Sequence, residues 1–504
     1  MAFRPLEHLP DDAFNRDLLA KVHPPEWKNP DHAGRYNLLV IGAGTAGLVT
    51  AAGASTLGAK VALVEREFMG GDCLNFGCVP SKALIRSARA IGELRRAADL
   101  GIEVPRGVAV NFPAIMERMR RLRAQLSPAD SAERFRGLGA EVFFGDAKFV
   151  APDCVEIEGK KLRFKRAVIA TGARAAEPQI PGIAEAGYLT NETIFSLSEL
   201  PKRMAVIGAG PIGCELAQTF QRLGTQVTLL EMAPQILIRE DPDAAAITET
   251  ALKRDGVEIR TGCEIASVTR RGKERVISIG DRGEIVVDEV LVGVGRMPAV
   301  EGLNLEEAKV QYHRAHGIVV DDHLRTTNPL IYAVGDVASA YKFTHLSDAH
   351  ARIAIRNALF MGRSRVSALT IPWCTYTDPE IAHVGLSEAD AKARGVAIKT
   401  FTQPLAEVDR AVLDGETEGF VKIHIKEGTD QIVGATIVAS HAGEMISEIT
   451  TAIVSGVGLG RIGDIMHPYP TQADAIRRTS GLYSRTRLTP FVANLFRRWF
   501  ALTR

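Results

Sequence analysis

No run of 18 or more uncharged apolar residues occurs in the 504-residue chain, so no segment is expected to cross a membrane as a helix. Cysteine is scarce: six residues are too few for a disulfide scaffold, which points to a reducing cytoplasm. The first 34 residues carry charges and prolines but no apolar run ahead of a small-residue cleavage site, so no signal peptide is expected. An excess of one charge is also missing, and a net charge of +1 gives no reason to propose nucleic acid as a partner. What remains is an ordinary globular composition, 46% hydrophobic and 24% charged, with length for roughly three domains. A soluble, cytoplasmic protein is expected.

The stretch Gly70-Gly71-Asp72-Cys73-Leu74-Asn75-Phe76-Gly77-Cys78-Val79-Pro80-Ser81-Lys82 stands out. A zinc site would need two further Cys or His ligands at matching spacing, and none follows within a few dozen residues, so no metal site is expected. Cys73 and Cys78 read instead as a dithiol/disulfide pair. Their spacing closes a ring if the loop curls into a helical turn, bringing the Cα atoms within about 4.4–6.8 Å. A helix start with a lysine nearby lowers thiol pKa values, which marks a working rather than a structural disulfide.

Just upstream, Tyr36–Ile41 is an apolar strand, Gly42-Ala43-Gly44-Thr45-Ala46-Gly47 a glycine turn, Leu48–Leu57 a helix and Lys60–Val64 a strand ending at Glu65. This is a dinucleotide fingerprint in its required strand–turn–helix context. Gly42 makes the turn, Gly44 admits a pyrophosphate to the backbone, and Gly47 lets helix and strand pack closely. The pyrophosphate would sit on the helix N-terminus and Glu65 would accept from an adenosine ribose. The unit recurs at Arg203–Ile207, Gly208-Ala209-Gly210-Pro211-Ile212-Gly213 and Gln226–Leu230, ending at Glu231. Both acids stand 23 positions after the first glycine (42 to 65, 208 to 231). One copy is weak evidence; two matching copies imply two dinucleotides. A carboxylate at Glu231 would repel a 2′-phosphate, which favours NADH over NADPH.

Elsewhere the signals are coarser. Residues 1–34 read as an extension packed loosely on the main body, and 111–139 as one basic amphipathic helix on a solvated face. Val168–Gly172 is a strand ending in a small-residue turn, and Ile331–Asp336 a strand whose end presents a carboxylate, a position that also suits a helix cap. Cys154, Cys214, Cys263 and Cys374 are isolated and read as core residues. The segment Arg485–Arg504 mixes Phe491, Phe496, Trp499 and Phe500 with arginines. Docking on the protein's own surface or on a partner subunit is favoured there over weak contact with an anionic membrane.

The GGxCLNxGCxPSK loop, both fingerprints, the Ala170-Thr171-Gly172 turn, the Gly295-Arg296-Met297-Pro298 stretch and the Gly335-Asp336 strand end together resemble the flavin-dependent pyridine nucleotide–disulfide oxidoreductases, over about residues 35–482. The resemblance implies an α/β protein with two Rossmann-like dinucleotide-binding domains, for FAD and NAD(P), plus an α+β C-terminal dimerisation domain that makes a homodimer. The expected division is an extension at 1–34, FAD-binding segments at 35–175 and 298–368, an NAD(P) domain at 176–297, an interface domain at 369–482 and a basic amphipathic tail at 483–504. It further implies that Gly42, Gly44, Gly47, Glu65, Gly71, Lys82, Ala170, Thr171, Gly172 and Asp336 hold FAD, and that Gly208, Gly210, Gly213, Glu231 and Gly295 hold NAD(P)H. Lys82 would pair with Glu215 beside the flavin. Cys78 would face the flavin, and Cys73 would be the outer thiol that attacks substrate.

The chain also departs from the family pattern. Thiol–disulfide reductases of the family carry His immediately before Pro-Thr and a Glu five residues after that His, and the His crosses the dimer as acid/base for the outer thiol. Here Tyr469 precedes Pro470-Thr471, Asp474 stands at the Glu position, and His467 lies two residues earlier. Tyrosine, with a pKa near 10, is a poor base at neutral pH. A tyrosine at this position is a feature of mercuric reductases, whose substrate is a metal ion held by thiolates. Their adjacent C-terminal cysteines are absent here, since Phe491–Arg504 has no cysteine. The reading is an oxidoreductase that passes electrons from NAD(P)H through FAD to Cys73–Cys78 and on to a soft metal ion or small oxidant. A dihydrolipoamide dehydrogenase, and a flavoprotein redox sensor or membrane-associated assembly component, are the alternatives.

Overall fold

A computed structural model describes residues 6–31, 34–105 and 107–504; parts of the expected extension, 1–5 and 32–33, lie outside the described residues. The chain divides into two compact units, one of residues 6–92, 105–232 and 263–369, the other of 93–104, 233–262 and 370–504.

The first unit is built on a parallel sheet. Strands β1 (Arg35–Ile41), β2 (Val61–Glu65) and β3 (Ala140–Phe144) run side by side, and β1 also pairs in parallel with β6 (Lys160–Ile169). The antiparallel strands β4 (Lys148–Ala151) and β5 (Cys154–Ile157) extend the far side of β6. Leu38–Ile41, Val61–Val64 and Ala167–Ile169 are almost wholly buried, as expected of strands covered on both faces. A second parallel set, β7 (Arg203–Ile207) with β8 (Gln226–Leu230) and β9 (Glu289–Val292), carries the repeated fingerprint. Strand β10 (Ile331–Ala333) returns to pair with β6.

Helix α1 (Ala13–Val22) corrects the expectation of a loosely packed extension. Asp12 caps it, accepting from Asn15 N at 2.8 Å, and Leu18 and Val22 are fully buried in the core with Met69, Leu74 and Phe135. Further along, Trp27 Nε1 donates to Val142 O at 3.1 Å, and Asn29 exchanges hydrogen bonds of 2.7 and 2.8 Å with the backbone of Phe144. The short amphipathic patch legible in the sequence near Phe14–Val22 is the helix that seats the segment, through Leu18 and Val22 at i, i+4 spacing.

The first fingerprint helix is α2 (Thr45–Thr56), and the segment with the two cysteines forms α3 (Gly71–Asn75) and α4 (Cys78–Arg95). The helix expected over 111–139 is also corrected: α5 (Phe112–Leu126) stops, a short 3-10 turn follows at Ser127–Asp130, and a new turn of helix begins at Ala132. Pro128 cannot continue the α5 hydrogen bonding, and Ser131 caps the restart. Nor is α5 only a solvated face, since Met116, Met119, Arg120 and Arg123 are buried. The second fingerprint helix is α6 (Pro211–Leu223), and α7 (Thr344–Phe360) packs on α2.

The second unit is a five-stranded antiparallel sheet in the order 372–375, 380–385, 432–439, 420–426, 398–404, with α8 (Ala442–Val454) against it. Lys422 is buried with its ammonium 2.8 Å from Asp241 and 2.7 Å from Asp243. Cys374 is half-buried rather than a core residue, whereas Cys154, Cys214 and Cys263 are buried. Helix α9 (Asp474–Thr486) is followed by α10 (Pro490–Leu502), in which no residue is buried. Of the two dockings expected for the tail, on the protein's own surface or on a partner subunit, the first leaves no residue of α10 buried here.

Leu18→Ala should lower the stability of the purified protein by about 2–5 kcal/mol, read as a lower urea midpoint, because it opens a cavity between α1 and the redox segment. An unchanged midpoint would contradict the seating of α1 in the core.

Candidate functional site: two glycine loops and a dithiol

Both glycine turns have the same geometry. Gly42 and Gly208 each take φ +98°, and a Cβ on either would strike a neighbouring carbonyl, Ala170 O or Gly293 O. At Gly47 and Gly213 a Cβ would come within 1.8 and 1.9 Å of Gly42 O and Gly208 O, so each helix sits directly on its own turn. The acids close the loops: Glu65 accepts from Ala43 N at 2.6 Å and Glu231 from Ala209 N at 2.7 Å. Glu65 also accepts from Glu67 N at 2.8 Å. Helices α2 and α6 begin at Gly44 and Gly210 with no side-chain cap, so the first-turn N–H groups of each present a ready site for a pyrophosphate.

The dithiol lies against the first loop. Gly70 N donates to Ala43 O at 2.8 Å, and a Cβ on Gly71 would come within 2.6 Å of Gly44 Cα. Cys73 ends up within α3 and Cys78 at the first position of α4. The Cys73 thiol hydrogen-bonds Cys78, and this bond is the largest influence lowering the Cys78 pKa to about 6. Burial opposes that shift, while the Thr344 hydroxyl, 3.4 Å from Cys78 Sγ, and the charge of Lys82 reinforce it. Cys73 is pushed up, first because its proton is held by Cys78 and then by burial. Lys82 Nζ donates to Glu215 Oε2 at 2.7 Å, with Glu215 nearly inaccessible.

A cationic node sits beside the pair. Arg296 donates to Asp72 Oδ2 and to Ala173 O, both at 3.0 Å, and its Nε lies 4.0 Å from Asp336 Oδ2. That buried Nε has no hydrogen-bond partner among the described residues. Burial raises the pKa of Asp336, against the opposing charges of Arg296 and Lys342. Asp336 lies in a short turn, Gly335–Val337, and α7 starts at Thr344, so Asp336 caps no helix. Thr171 donates to Ala299 O at 2.7 Å, and Gly172 and Gly295 take positive φ in the adjoining turns. Uncapped helix starts, close glycine turns and an unpartnered buried guanidinium nitrogen fit two dinucleotides, one at each loop.

Tyr469 and Asp474 belong to the second unit. Tyr469 is 73% exposed, and its hydroxyl donates to Asp409 Oδ2 at 2.9 Å, which raises its pKa. Asp474 holds Arg477 and Arg478, each at 2.7 Å. His467 is engaged by Glu448 Oε1 at 2.8 Å and by Ile465 O at 3.0 Å.

Several site residues escaped the sequence reading. Arg296 lay in a quoted motif without a role, and Asp72 between the glycines and Cys73. Thr344 and Asn191, which donates to Asp72 and to Phe76 O at 2.9 and 3.3 Å, have no motif to announce them.

This combination of repeated loops and dithiol defines a two-dinucleotide redox protein. Residues 36–356 match the pyridine nucleotide-disulphide oxidoreductase family, and 371–480 match the dimerisation domain of that family. The chain belongs to the pyridine nucleotide-disulphide oxidoreductases. It is 35% identical over 447 residues to a mercuric reductase of Staphylococcus aureus, covering 88% of this chain and 82% of the relative. It is also 35% identical over 446 residues to a dihydrolipoyl dehydrogenase of Mycoplasma pneumoniae, covering 86% and 96%. Among solved structures, the Cu(II) complex of the HOCl-induced flavoprotein disulfide reductase RclA from Escherichia coli superposes with a TM-score of 0.79 at 26% identity, covering 89% of this chain and 100% of that one. LpdA from Mycobacterium tuberculosis gives 0.80 at 28%, covering 89% and 99%. The protein is an FAD-dependent NAD(P)H oxidoreductase of the flavoprotein disulfide reductase type, and its dimerisation domain supports a homodimer. No helix among the described residues is long and apolar enough to cross a membrane.

Because the Cys73 hydrogen bond dominates the shift at Cys78, alkylation of Cys78 in the reduced protein should fall away as pH drops through about 6. In Cys73→Ala the midpoint should rise toward an ordinary thiol value, and a midpoint unmoved by that change would contradict the assignment.

Proposed function

We propose that Cys73 and Cys78 are the redox-active pair and that the terminal acceptor is a soft metal ion or small oxidant rather than a bulky disulfide. The observation that carries this reading is Tyr469: its proton is engaged by Asp409 and its pKa lies above the usual tyrosine range, so it offers no base at neutral pH. His467, the nearest imidazole in sequence, is held by Glu448. Thiolates match soft cations, and a metal displaces the thiol proton on binding, without a base. With Hg(II) the balance is NADH plus Hg(II) giving NAD+, H+ and Hg(0); Cu(II) would be reduced on the same pair. The mercuric reductases among the relatives and the Cu(II)-bound RclA support this reading.

On this reading Gly42, Gly44, Gly47, Glu65, Gly71, Lys82, Ala170, Thr171, Gly172 and Asp336 hold FAD, and Gly208, Gly210, Gly213, Glu231 and Gly295 hold the nicotinamide dinucleotide. Bound FAD supplies the two-electron relay between nicotinamide and disulfide. Lys82, fixed by Glu215, keeps a positive charge beside Cys78, and Asp474 orders the Tyr469 segment through Arg477 and Arg478. Glu231 favours NADH by repelling a 2′-phosphate. The domain division at 35–175, 176–297, 298–368 and 369–482 and a cytoplasmic location belong to the same proposal.

The tail supports a peripheral contact with an anionic membrane. From Gly481 to Arg504 stand five arginines and no acidic residue. Helix α10 gathers Phe491, Leu495, Trp499 and Leu502 with Phe496 and Phe500 on one broad arc, with Arg498 at its edge and Arg497 opposite. Trp499 is 61% exposed and Phe491 77%. Each arginine near an anionic surface contributes about 1 kcal/mol.

In a screen of the holoenzyme, NADH-dependent reduction of Hg(II) or Cu(II) should exceed that of lipoamide and glutathione disulfide at least about tenfold, and Cys73→Ser should abolish it. Dihydrolipoamide oxidation by NAD+ at an ordinary enzyme rate, on the order of 10 per second, would instead assign a dihydrolipoamide dehydrogenase. For the tail, the protein should co-sediment with phosphatidylglycerol-containing vesicles, weakly with pure phosphatidylcholine, and less as salt rises. Deleting residues 487–504 should abolish binding and leave the dimer intact; loss of the dimer instead would assign α10 to the subunit interface.

A further inference from the structure

The four residues between the two cysteines, Leu74 to Gly77, are gripped from outside their own helix pair. The His8 ring stacks on Phe76 with centroids 4.9 Å apart and planes 9° from parallel, and it leans on Phe68 at 4.7 Å. His8 Nε2 lies 3.0 Å from Asn75 Oδ1. The Asn75 amide nitrogen already donates to Met69 O and Gly71 O, so its oxygen is the acceptor and His8 carries its proton on Nε2. Burial, aided by the charge of Arg123, holds the His8 pKa down to about 3, so the ring is neutral. Arg123, 2% exposed, donates to Asn75 O and to Asn15 Oδ1, both at 2.7 Å, tying the same residue to α1. Arg120 adds an ion pair to Asp12, and Met69 N donates to Val22 O at 3.0 Å.

We propose that the N-terminal segment is a clamp on residues 74–77, with His8 as a positioning residue that sets the equilibrium between the disulfide and dithiol forms of Cys73–Cys78. The proposal rests on the reading of that pair as redox-active. The couple takes up two electrons and one proton, giving the Cys73 thiol and the Cys78 thiolate. A disulfide needs its two sulfurs near 2.05 Å, whereas a relaxed dithiol lets them drift apart. Holding Asn75 and Phe76 keeps the sulfurs close in both states, which raises the effective concentration of one thiol at the other and favours the disulfide. The same proximity maintains the Cys73 hydrogen bond that lowers the Cys78 pKa. Loosening the clamp therefore favours the dithiol and raises that pKa together.

The experiment equilibrates FAD-loaded protein with buffers of reduced and oxidised dithiothreitol, where protein disulfide and reduced reagent exchange to protein dithiol and oxidised reagent. His8→Ala should raise the dithiol/disulfide ratio at least about tenfold, a potential about 30 mV less negative for two electrons. It should also move the Cys78 alkylation midpoint upward from about 6. His8→Phe, which keeps a ring on Phe76 but no donor, should fall between His8→Ala and the wild type. If His8→Ala loses FAD or aggregates, His8→Phe and His8→Gln, which keeps a donor, decide the matter by the same two readouts. A lower melting temperature with both readouts unchanged would overturn the clamp. A wild-type protein with no two-electron thiol couple would overturn the redox reading itself.

Discussion

The contact on which the site depends is the approach of two backbones with no side chain between them. Gly71 sits so close to Gly44 that a Cβ would overlap its Cα, and Gly70 N bonds Ala43 O. The first glycine turn is thus shared: one edge meets the uncapped start of α2, whose N–H groups suit an anion, and the other meets the start of the dithiol segment. The spacing between dinucleotide and sulfurs then depends on main-chain contact, which tolerates far less variation than packed side chains. Cys73, Cys78 and Lys82 inherit their positions from it through the short helix α3 and the first turns of α4. The hydrogen bond between the thiols follows from the same placement, because it needs both sulfurs on one side of the turn.

The duplicated fingerprint shows how one residue type serves two ends. Glu65 and Glu231 each reach from the end of the second strand to the N–H just after the first glycine, 2.6 and 2.7 Å away. The acid is therefore a brace for the turn in both copies before it is a ligand for any ribose. This makes the loop geometry independent of what is bound, and it explains why the two turns have the same φ at Gly42 and Gly208. The shape of the second turn rests on the hydrogen bond of Glu231, and its charge is a separate property of the same carboxylate.

Much of the fold was legible because its central strands are continuous apolar runs between glycine turns, and the turns demand glycine for steric reasons visible in any sequence. The dithiol was legible for the same reason: its spacing is local. What was not legible depends on contacts far apart in sequence. Arg296 meets Asp72 across 224 positions and Thr344 meets Cys78 across 266, and neither residue type is unusual where it stands. The N-terminal segment was misjudged because the apolar seat of its helix is small, Leu18 and Val22 with Phe14, while the polar residues Asn15 and His8 are also buried. The basic run at 111–139 was misjudged because Arg123 is spent inside, on Asn75 and Asn15, and not on solvent.

The reduced dithiol holds its two protons unequally. With Cys78 lowered to about 6 and Cys73 raised, the reduced pair carries one proton at neutral pH, and it sits on Cys73. Exchange with an organic disulfide begins with a Cys73 thiolate, so that proton must be taken by a base with a pKa near the working pH. Tyr469, donating its own proton to Asp409, cannot take it. A soft cation changes the balance, since its first bond to Cys78 supplies the positive charge that drives the proton off Cys73 as the second bond forms. On the proposed reading, such a pair penalises substrates that need a proton acceptor and spares those that displace the proton themselves.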